Sequence, residues 1–243
     1  MTHSQTVPVL PSETFCFDCS PDVPCFNACC RDLNQFLTPY DILQLKTHLG
    51  LTSQEFLARY TQMHMGPETG LPIVSIKPDP GRDRPCPFVT EKGCSVYAAR
   101  PASCRTYPLM RAVSRSRETG RIAEHFMVLR EPHCRGFETH VSRTPEQWLE
   151  TQGAVPYNRY NDRLLEIISL KNRLRPGPLG FGEAYLFQMA LYDLDAFRAH
   201  LFEGDGRHDP DLTGETLEAA RSDDLALLEL AMEWVKRKLF GDI

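Results

Sequence analysis

Apolar and polar residues recur along the chain at spacings that predict two helices shortly after its start. Thr38 precedes an apolar face at helical spacing, and Pro39 suits the first helical position. Gly50 is expected to end this first helix. Thr52 begins a second one, because Glu55 lies three residues further on and completes a capping box. The cysteine-rich segment before these helices is therefore predicted to be a loop that leads into a helical hairpin.

The middle of the chain has the shorter periodicity of strands. Strands are predicted over residues 71–76, 86–89 and 94–97, with the last two forming a hairpin that brings Cys86 close to Cys94. Two more strands are predicted over residues 107–113 and 122–129, joined by the polar segment 114–120.

From Thr144 onward the pattern is helical. Thr144 is predicted to cap a short helix, and further helices are expected over residues 158–174, 182–202 and 222–240. Asp193 and Asp195 are interpreted as helix surface. The predicted fold is α+β and mostly α, with a small irregular cysteine-rich core, short hairpin strands and a C-terminal helical segment. The expected domains are residues 12–140, which bind metal, and residues 141–243, which are helical and pack on them.

Composition and charge narrow the possible functions. The 243 residues are 42% hydrophobic, which is enough for an ordinary core without covalent cross-links. A net charge of −5 argues against nucleic acid as a partner, because duplex binding rests on a basic surface. No apolar stretch approaches the about 20 residues that span a bilayer, and the first residues do not resemble a secretory signal. We therefore expect a cytoplasmic protein with no membrane association and with reduced thiols.

The main chemical signal is the spacing of nine cysteines, which lie in two blocks and one later position: Cys16, Cys19, Cys25, Cys29 and Cys30; Cys86, Cys94 and Cys104; and Cys134. Thiols so close in sequence, in a protein without an oxidising compartment, indicate a metal site. All nine are candidate ligands. Disulfides or reactive thiols remain the alternative, although an odd number of cysteines cannot all pair within one chain.

Ligand number gives a further expectation. Structural zinc and common iron–sulfur clusters each take four protein ligands, so eight clustered cysteines suit two centres. Cys134 would then be spare or a substitute ligand. Adjacent residues such as Cys29 and Cys30 project in different directions and are expected to serve two centres, or one of them packs in the core. Thiolate ligation permits iron–sulfur, zinc or copper(I), and spacing does not choose among them. His125 and His133 lie nearby but are interpreted as ordinary polar residues.

Arginines are concentrated after the second cysteine block. The segment from Arg100 to Arg143 holds nine arginines, no lysine and four acidic residues. Arg100 and Arg105 flank Cys104 and are candidates to support a bound cluster or an approaching anion. The alternative is a solvated surface.

The second block includes Cys86-Pro87-Phe88, Gly93-Cys94-Ser95-Val96-Tyr97, Arg100-Pro101 and Cys104-Arg105-Thr106-Tyr107-Pro108. With the Cys-x2-Cys start and the Cys29-Cys30 pair, residues 15–136 resemble the YkgJ-like cysteine-cluster family of bacterial proteins, described as zinc- or iron-chelating. This resemblance implies a metal-binding domain whose ligands are these cysteines. The family's usual spacing, close to Cys-x2-Cys-x2-Cys-Cys, is stretched here, so Cys19 and Cys25 both remain candidates for its second ligand position.

Three functions are compatible with the sequence. The first is a metal-binding protein with one or two thiolate centres, iron–sulfur before zinc, in a redox or accessory role and with a protein partner. The second is a cluster-dependent enzyme, which the distant resemblance to a flagellin lysine methylase suggests. The third is a zinc-stabilised protein-interaction module.

Overall fold

A computed structural model describes residues 4–31, 34–80, 83–115, 122–204 and 215–241. Its strands are β1 (Gln5–Val9), β2 (Phe15–Cys16), β3 (Phe36–Leu37), β4 (Thr61–Met65), β5 (Pro72–Ile76), β6 (Val89–Thr90), β7 (Gly93–Cys94), β8 (Leu109–Arg115), β9 (Ile122–Arg130) and β10 (Ser142–Arg143). Its helices are α1 (Pro39–Leu49), α2 (Ser53–Tyr60), α3 (Ala102–Thr106), α4 (Pro145–Thr151), α5 (Val155–Leu174), α6 (Phe181–Tyr192), α7 (Leu194–Phe202), α8 (Glu215–Ala219) and α9 (Asp224–Phe240). The fold is α+β with helix predominating, as predicted.

The chain divides into two compact units that alternate along the sequence. The first contains the described parts of residues 1–33 and 78–158, and the second those of residues 34–77 and 159–243. The α1–α2 hairpin thus belongs with the C-terminal helices, although the sequence groups it with the cysteines. The division into a metal-binding domain of residues 12–140 and a helical segment of residues 141–243 stays a prediction.

The first unit contains an antiparallel sheet in the order β1–β9–β8. Strands β8 and β9 confirm the predicted pair, and residues 116–120 of their predicted connection lie outside the described residues. Strand β1 was not predicted. It contains Pro8, which is tolerated because β1 pairs with β9 alone and lies at the edge of the sheet.

Aromatic residues form the core under this sheet. Phe17 and Trp148 lie with ring centroids 5.4 Å apart and planes perpendicular, and both are buried. The Trp148 indole donates a hydrogen bond to the Thr106 carbonyl oxygen (2.8 Å). This core therefore anchors two segments that carry cysteines: the one that begins at β2 and the one that ends with α3.

The predicted hairpin between Cys86 and Cys94 is shorter than expected. Strands β6 and β7 have two residues each and pair Val89 with Cys94, while Tyr97–Ala99 forms a turn of 3-10 helix. Cys86 lies before the hairpin, because Pro87 lacks an N–H for a ladder and the Cys86 N–H is bonded to the Cys30 carbonyl oxygen (2.8 Å). The strands predicted over residues 86–89 and 94–97 were thus too long.

In the second unit, the predicted helix starts are confirmed. Thr38 and Thr52 each accept the N3 backbone N–H in a complete capping box, and Gly50 ends α1 with a positive φ of 65°. In the first unit, Thr144 forms a complete capping box of the same kind at the start of α4. These signals act within four residues, which is why the sequence alone reveals them.

The single helix predicted over residues 182–202 is wrong, since α6 and α7 are separate helices. Asp193 leaves the helical conformation (φ −112°, ψ 71°) and accepts a hydrogen bond from the Ala196 N–H (3.1 Å), so it caps α7. Asp195 is only partly exposed and accepts from the Ser53 N–H (2.6 Å). Asp195 also forms an ion pair with buried Lys46 (3.4 Å), so neither aspartate is ordinary helix surface.

The second unit also contains a three-stranded antiparallel sheet in the order β3–β5–β4. Helices α6 and α9 supply much of the unit's core, with Leu191, Leu227 and Leu228 fully buried. Among the described residues, no helix is both long and apolar enough to cross a bilayer.

Candidate metal centre

Four cysteines line one small cavity of the first unit. The cavity has a volume of about 10 Å³, close to the space of one water molecule. Its lining consists of Cys19, Cys25, Cys29 and Cys134 together with Phe17, Tyr107, His133 and Gly136. We call these four cysteines the first thiol group.

Backbone pairing brings the two ends of this group together. Phe17 donates to the Val141 carbonyl oxygen (3.1 Å), and Asp18 donates to that of Gly136 (3.0 Å). A Cβ on Gly136 would lie 2.5 Å from the Phe17 ring and 2.6 Å from the Asp18 oxygen, so only glycine permits this approach. As a result, Cys134 lies beside cysteines more than a hundred residues earlier in the sequence.

Cys25 is tied to the same segment. Its sulfur accepts a hydrogen bond from the Arg135 backbone N–H (3.0 Å). Backbone N–H groups that donate to sulfur are a common support of metal-bound thiolates.

The adjacent pair Cys29 and Cys30 lies in a turn of 3-10 helix, Ala28–Cys30, which Asn27 enters with a positive φ of 66°. The two thiols share a hydrogen bond, which lowers the pKa of Cys29 to about 7 and raises that of Cys30. Of the two thiols, Cys29 is therefore the stronger acid.

A second set of cysteines surrounds Cys30. Cys104 and Cys86 lie within electrostatic range of Cys30, and Cys94 lies within that range of both Cys86 and Cys29. The hydrogen bond from the Cys86 N–H to Cys30 and the β6–β7 hairpin hold three of the four in place, and Cys104 lies on α3. We call Cys30, Cys86, Cys94 and Cys104 the second thiol group.

Burial makes most of these thiols weaker acids. It raises the pKa of Cys19 to about 11, with the neighbouring thiols adding to the effect, and it also raises the pKa of Cys86, Cys94 and Cys134. Metal binding would have to displace these protons, so it is expected to weaken as the pH falls.

Arg100 and Arg105 are buried, and their hydrogen bonds mainly act as clamps that hold neighbouring chain segments together. Arg105 donates to the carbonyl oxygens of Gln152 (2.7 Å) and Ala98 (2.8 Å) and to the Tyr157 hydroxyl (3.1 Å). Arg100 donates to the Tyr97 carbonyl oxygen (2.8 Å) and to the Gln152 side chain (2.7 Å). Both bind the loop between Cys94 and Cys104 to the segment after α4.

Arg100 also lies within electrostatic range of the second thiol group. Burial lowers its pKa, while Cys104 and Cys94 act in the opposite direction and favour its charged form. Its positive charge is thus within electrostatic reach of two candidate ligands. Its supporting role stays a prediction.

The remaining candidates lie apart from the two groups. Cys16 is exposed in β2, opposite Ser142, and does not line the cavity. His125 is exposed and lies 3.0 Å from the Ser114 hydroxyl. His133 does line the cavity, with one ring nitrogen 3.9 Å from a Glu131 oxygen.

The donor chemistry fits a soft metal ion, since each group offers four sulfurs and none of the nine cysteines is in a disulfide. In the part of the chain that the structure describes, no three Cys, His, Asp or Glu side chains already have the geometry to hold an ion. Binding therefore requires rotation of thiols that are already neighbours.

Tyr107 provides a further indication. Its hydroxyl is buried and has no partner with hydrogen-bond geometry among the described residues. Burial raises the pKa of Tyr107, as does the nearby sulfur of Cys134. A buried hydroxyl without a partner is costly, so a hydrogen bond to a metal-bound sulfur in this cavity would satisfy it.

The sequence does not indicate two features of this site. The motif contains Tyr107 without showing a role for it, although Tyr107 lies only three residues after Cys104. Cys134, predicted to be spare or a substitute ligand, lies at the cavity, whereas Cys16 does not line it. No local signal distinguishes the two.

Comparison with known proteins gives one match. Residues 18–135 match the profile of the CxxCxxCC family, described as "Putative zinc- or iron-chelating domain". No curated protein and no solved structure matches the chain. Residues 18–135 include eight of the nine cysteines, and both thiol groups lie within them. This segment, just under half of the chain, therefore resembles the CxxCxxCC family, whose profile carries that description.

Proposed function

We propose that the first unit holds two thiolate-ligated metal centres, one in each thiol group. The observation that carries this proposal is the position of Cys29 and Cys30. They are adjacent in sequence, yet Cys29 lines the cavity with Cys19, Cys25 and Cys134, while Cys30 has Cys86 and Cys104 as neighbours. Each group then contains four sulfurs, the number that zinc and common iron–sulfur clusters require.

The two centres would lie side by side. The Cys29–Cys30 peptide joins them directly, and the hydrogen bond between the two thiols shows that their sulfurs are close. With metal bound in both groups, these two residues would be ligands of neighbouring centres. Such an arrangement suits electron transfer if both centres are redox-active.

We propose iron–sulfur before zinc, because two sets of four thiolates carry a large negative charge, which iron–sulfur clusters accommodate through hydrogen bonds to sulfur and nearby cations. The Arg135 N–H on Cys25, the Tyr107 hydroxyl beside Cys134, and Arg100 near Cys94 and Cys104 are groups of this kind.

In this proposal the bound cluster supplies one-electron chemistry, and zinc in its place would supply folding stability alone. The protein supplies the eight thiolates, the charge compensation and a cavity with space for about one water molecule beside the first group. The role is then redox or accessory, in a compartment that keeps thiols reduced, such as the cytoplasm.

The test is anaerobic purification of the full chain followed by metal analysis and an absorption spectrum. We expect iron at more than one equivalent, with absorption near about 400 nm that dithionite bleaches. Zinc at about two equivalents, without colour, would replace the iron–sulfur proposal with the zinc-stabilised module. Folded protein with iron, zinc and copper all well below one equivalent would contradict metal binding altogether.

A further inference from the structure

Strand β4, in the second unit, has one open edge. It pairs with β5 on one side and is the last strand of its sheet among the described residues. The exposed residues Met63 and Met65 stand on it, at 51% and 44% exposure. An open edge of this kind presents unpaired N–H and C=O groups to another chain.

The register identifies which groups are open. The Lys77 N–H donates to the Tyr60 carbonyl oxygen (2.8 Å) and the Gly66 N–H donates to that of Leu71 (2.9 Å), so Tyr60 and Gly66 are in hydrogen-bonded pairs with the β5 side. Because these pairs alternate along an antiparallel ladder, the even-numbered residues of β4 point toward β5. The N–H and C=O groups of Met63 and Met65 therefore point away from it.

A cavity of about 360 Å³ borders this edge. It is lined by Gln54, Leu57, Ala58, Thr61, Gln62, Met63, Val74, Gln188 and Asp193. The cavity lies against three successive residues of β4, Thr61, Gln62 and Met63. It is therefore within reach of a side chain from a strand added at that edge.

The lining determines which side chain fits. Helix α2 and the sheet contribute the apolar groups Leu57, Ala58 and Val74, while hydrogen-bond acceptors are supplied by the three glutamines and the Asp193 carboxylate. Among the described residues, no lysine, arginine or histidine lines the cavity. The charged residue in this lining is Asp193, which is half-buried, caps α7 and is also within electrostatic range of Lys46. The complementary ligand is cationic with an apolar stem.

We propose that the β4 edge binds an extended peptide segment as an additional antiparallel or parallel strand, with an arginine side chain of that segment in the cavity. Arginine is the choice because it carries five N–H donors in a planar fork, which suits several amide oxygens and one carboxylate better than the single ammonium of lysine. Main-chain hydrogen bonds to Met63 and Met65 would give affinity, and the cavity would give specificity. The proposal is independent of the metal centres.

The test uses the full-length, metal-loaded protein and fluorescein-labelled peptides in a fluorescence polarisation titration. The probe is an acetylated Thr-Val-Arg-Val-Thr amide, compared with peptides that carry lysine or norleucine in place of arginine. We expect the arginine peptide to bind at least about tenfold more tightly than the norleucine peptide, since one charge-assisted hydrogen bond is worth about 1.5–3 kcal/mol. The lysine peptide is expected to fall between them.

Two substitutions test the edge and the charge separately. Met63→Pro removes an N–H that points away from β5 and leaves the β4–β5 ladder intact, so we expect binding to fall about tenfold. Met63→Ala, which keeps the N–H, is its matched control.

Asp193→Asn keeps an N-cap for α7 but removes the charge. It should lower the preference for arginine over norleucine without changing binding of the norleucine peptide.

A second measurement needs no variant. Peptides methylated on the backbone nitrogen of alternate residues lose the donors that would face β4, while methylation of the other residues is harmless in a strand pairing. We expect one methylation pattern to abolish binding and the other to preserve it. Equal binding of both patterns, equal binding of the arginine and norleucine peptides, or self-association of the chain through β4 with no peptide binding would each overturn the proposal.

Discussion

Replacing Cys134 by serine is expected to remove about half of the bound metal. Serine does not provide a thiolate at neutral pH, so the first thiol group keeps only Cys19, Cys25 and Cys29, whereas the second keeps all four sulfurs. The measurement is metal content per folded chain after anaerobic purification, with the absorption spectrum recorded on the same sample. Cys104→Ser should remove the other half.

Cys16→Ser is the matched control, because Cys16 is also a cysteine of the family-like pattern but is exposed in β2 and does not line the cavity. Its metal content should equal that of the unsubstituted protein. Full metal content in Cys134→Ser, or a loss in Cys16→Ser as large as that in Cys134→Ser, would contradict the proposed division of ligands. Circular dichroism identifies any variant that has lost its fold.

Replacing Arg105 by alanine is expected to destabilise the first unit by about 3 kcal/mol or more. The substitution removes three hydrogen bonds and leaves the carbonyl oxygens of Ala98 and Gln152 without their donor in a buried site. It also removes a guanidinium that lies 4.4 Å from the centre of the Tyr157 ring. The free energy of unfolding, measured by anaerobic denaturant titration, checks the size of the effect.

Arg135→Ala provides the comparison within the same unit. In the part of the chain that the structure describes, the Arg135 side chain forms an ion pair with Glu138, both side chains are more than half exposed, and the Arg135 backbone N–H to Cys25 is retained in the variant. Such a pair contributes about 0–1 kcal/mol. If Arg105→Ala were no more destabilising than Arg135→Ala while its metal content or reduction potential changed, Arg105 would act on the cluster directly and not as a clamp.

Local sequence determined the elements whose signals lie within a few residues. The capping boxes at Thr38, Thr52 and Thr144 satisfy backbone N–H groups through side chains three residues apart, so the pattern and the structure coincide. Strands β8 and β9 could likewise be predicted from the alternation of apolar and polar residues within each strand. The spacing of the cysteines also predicted a metal-binding family, because thiols close in sequence can converge without help from the rest of the fold.

Helix ends that depend on one polar residue were harder to predict. The apolar pattern of residues 182–202 is continuous, and only the backbone turn at Asp193 separates α6 from α7. Asp195 accepts a hydrogen bond from the Ser53 N–H, which is 142 residues away, and no residue pattern near Asp195 indicates this contact. A helical surface was the simpler interpretation of both aspartates, and it failed because their partners are distant.

The sequence by itself determined that thiol chemistry is concentrated in residues 16–134, and the tertiary structure alone decided how those thiols are grouped. Pairing of Phe17 and Asp18 with Val141 and Gly136 brings Cys134 to Cys19 and Cys25, while Cys16, three residues from Cys19, turns outward in β2. Sequence distance measures how easily two residues can meet, but their side-chain directions are set by the strand pairing and the packing of Phe17 on Trp148. These long-range contacts are invisible in the spacing of the cysteines.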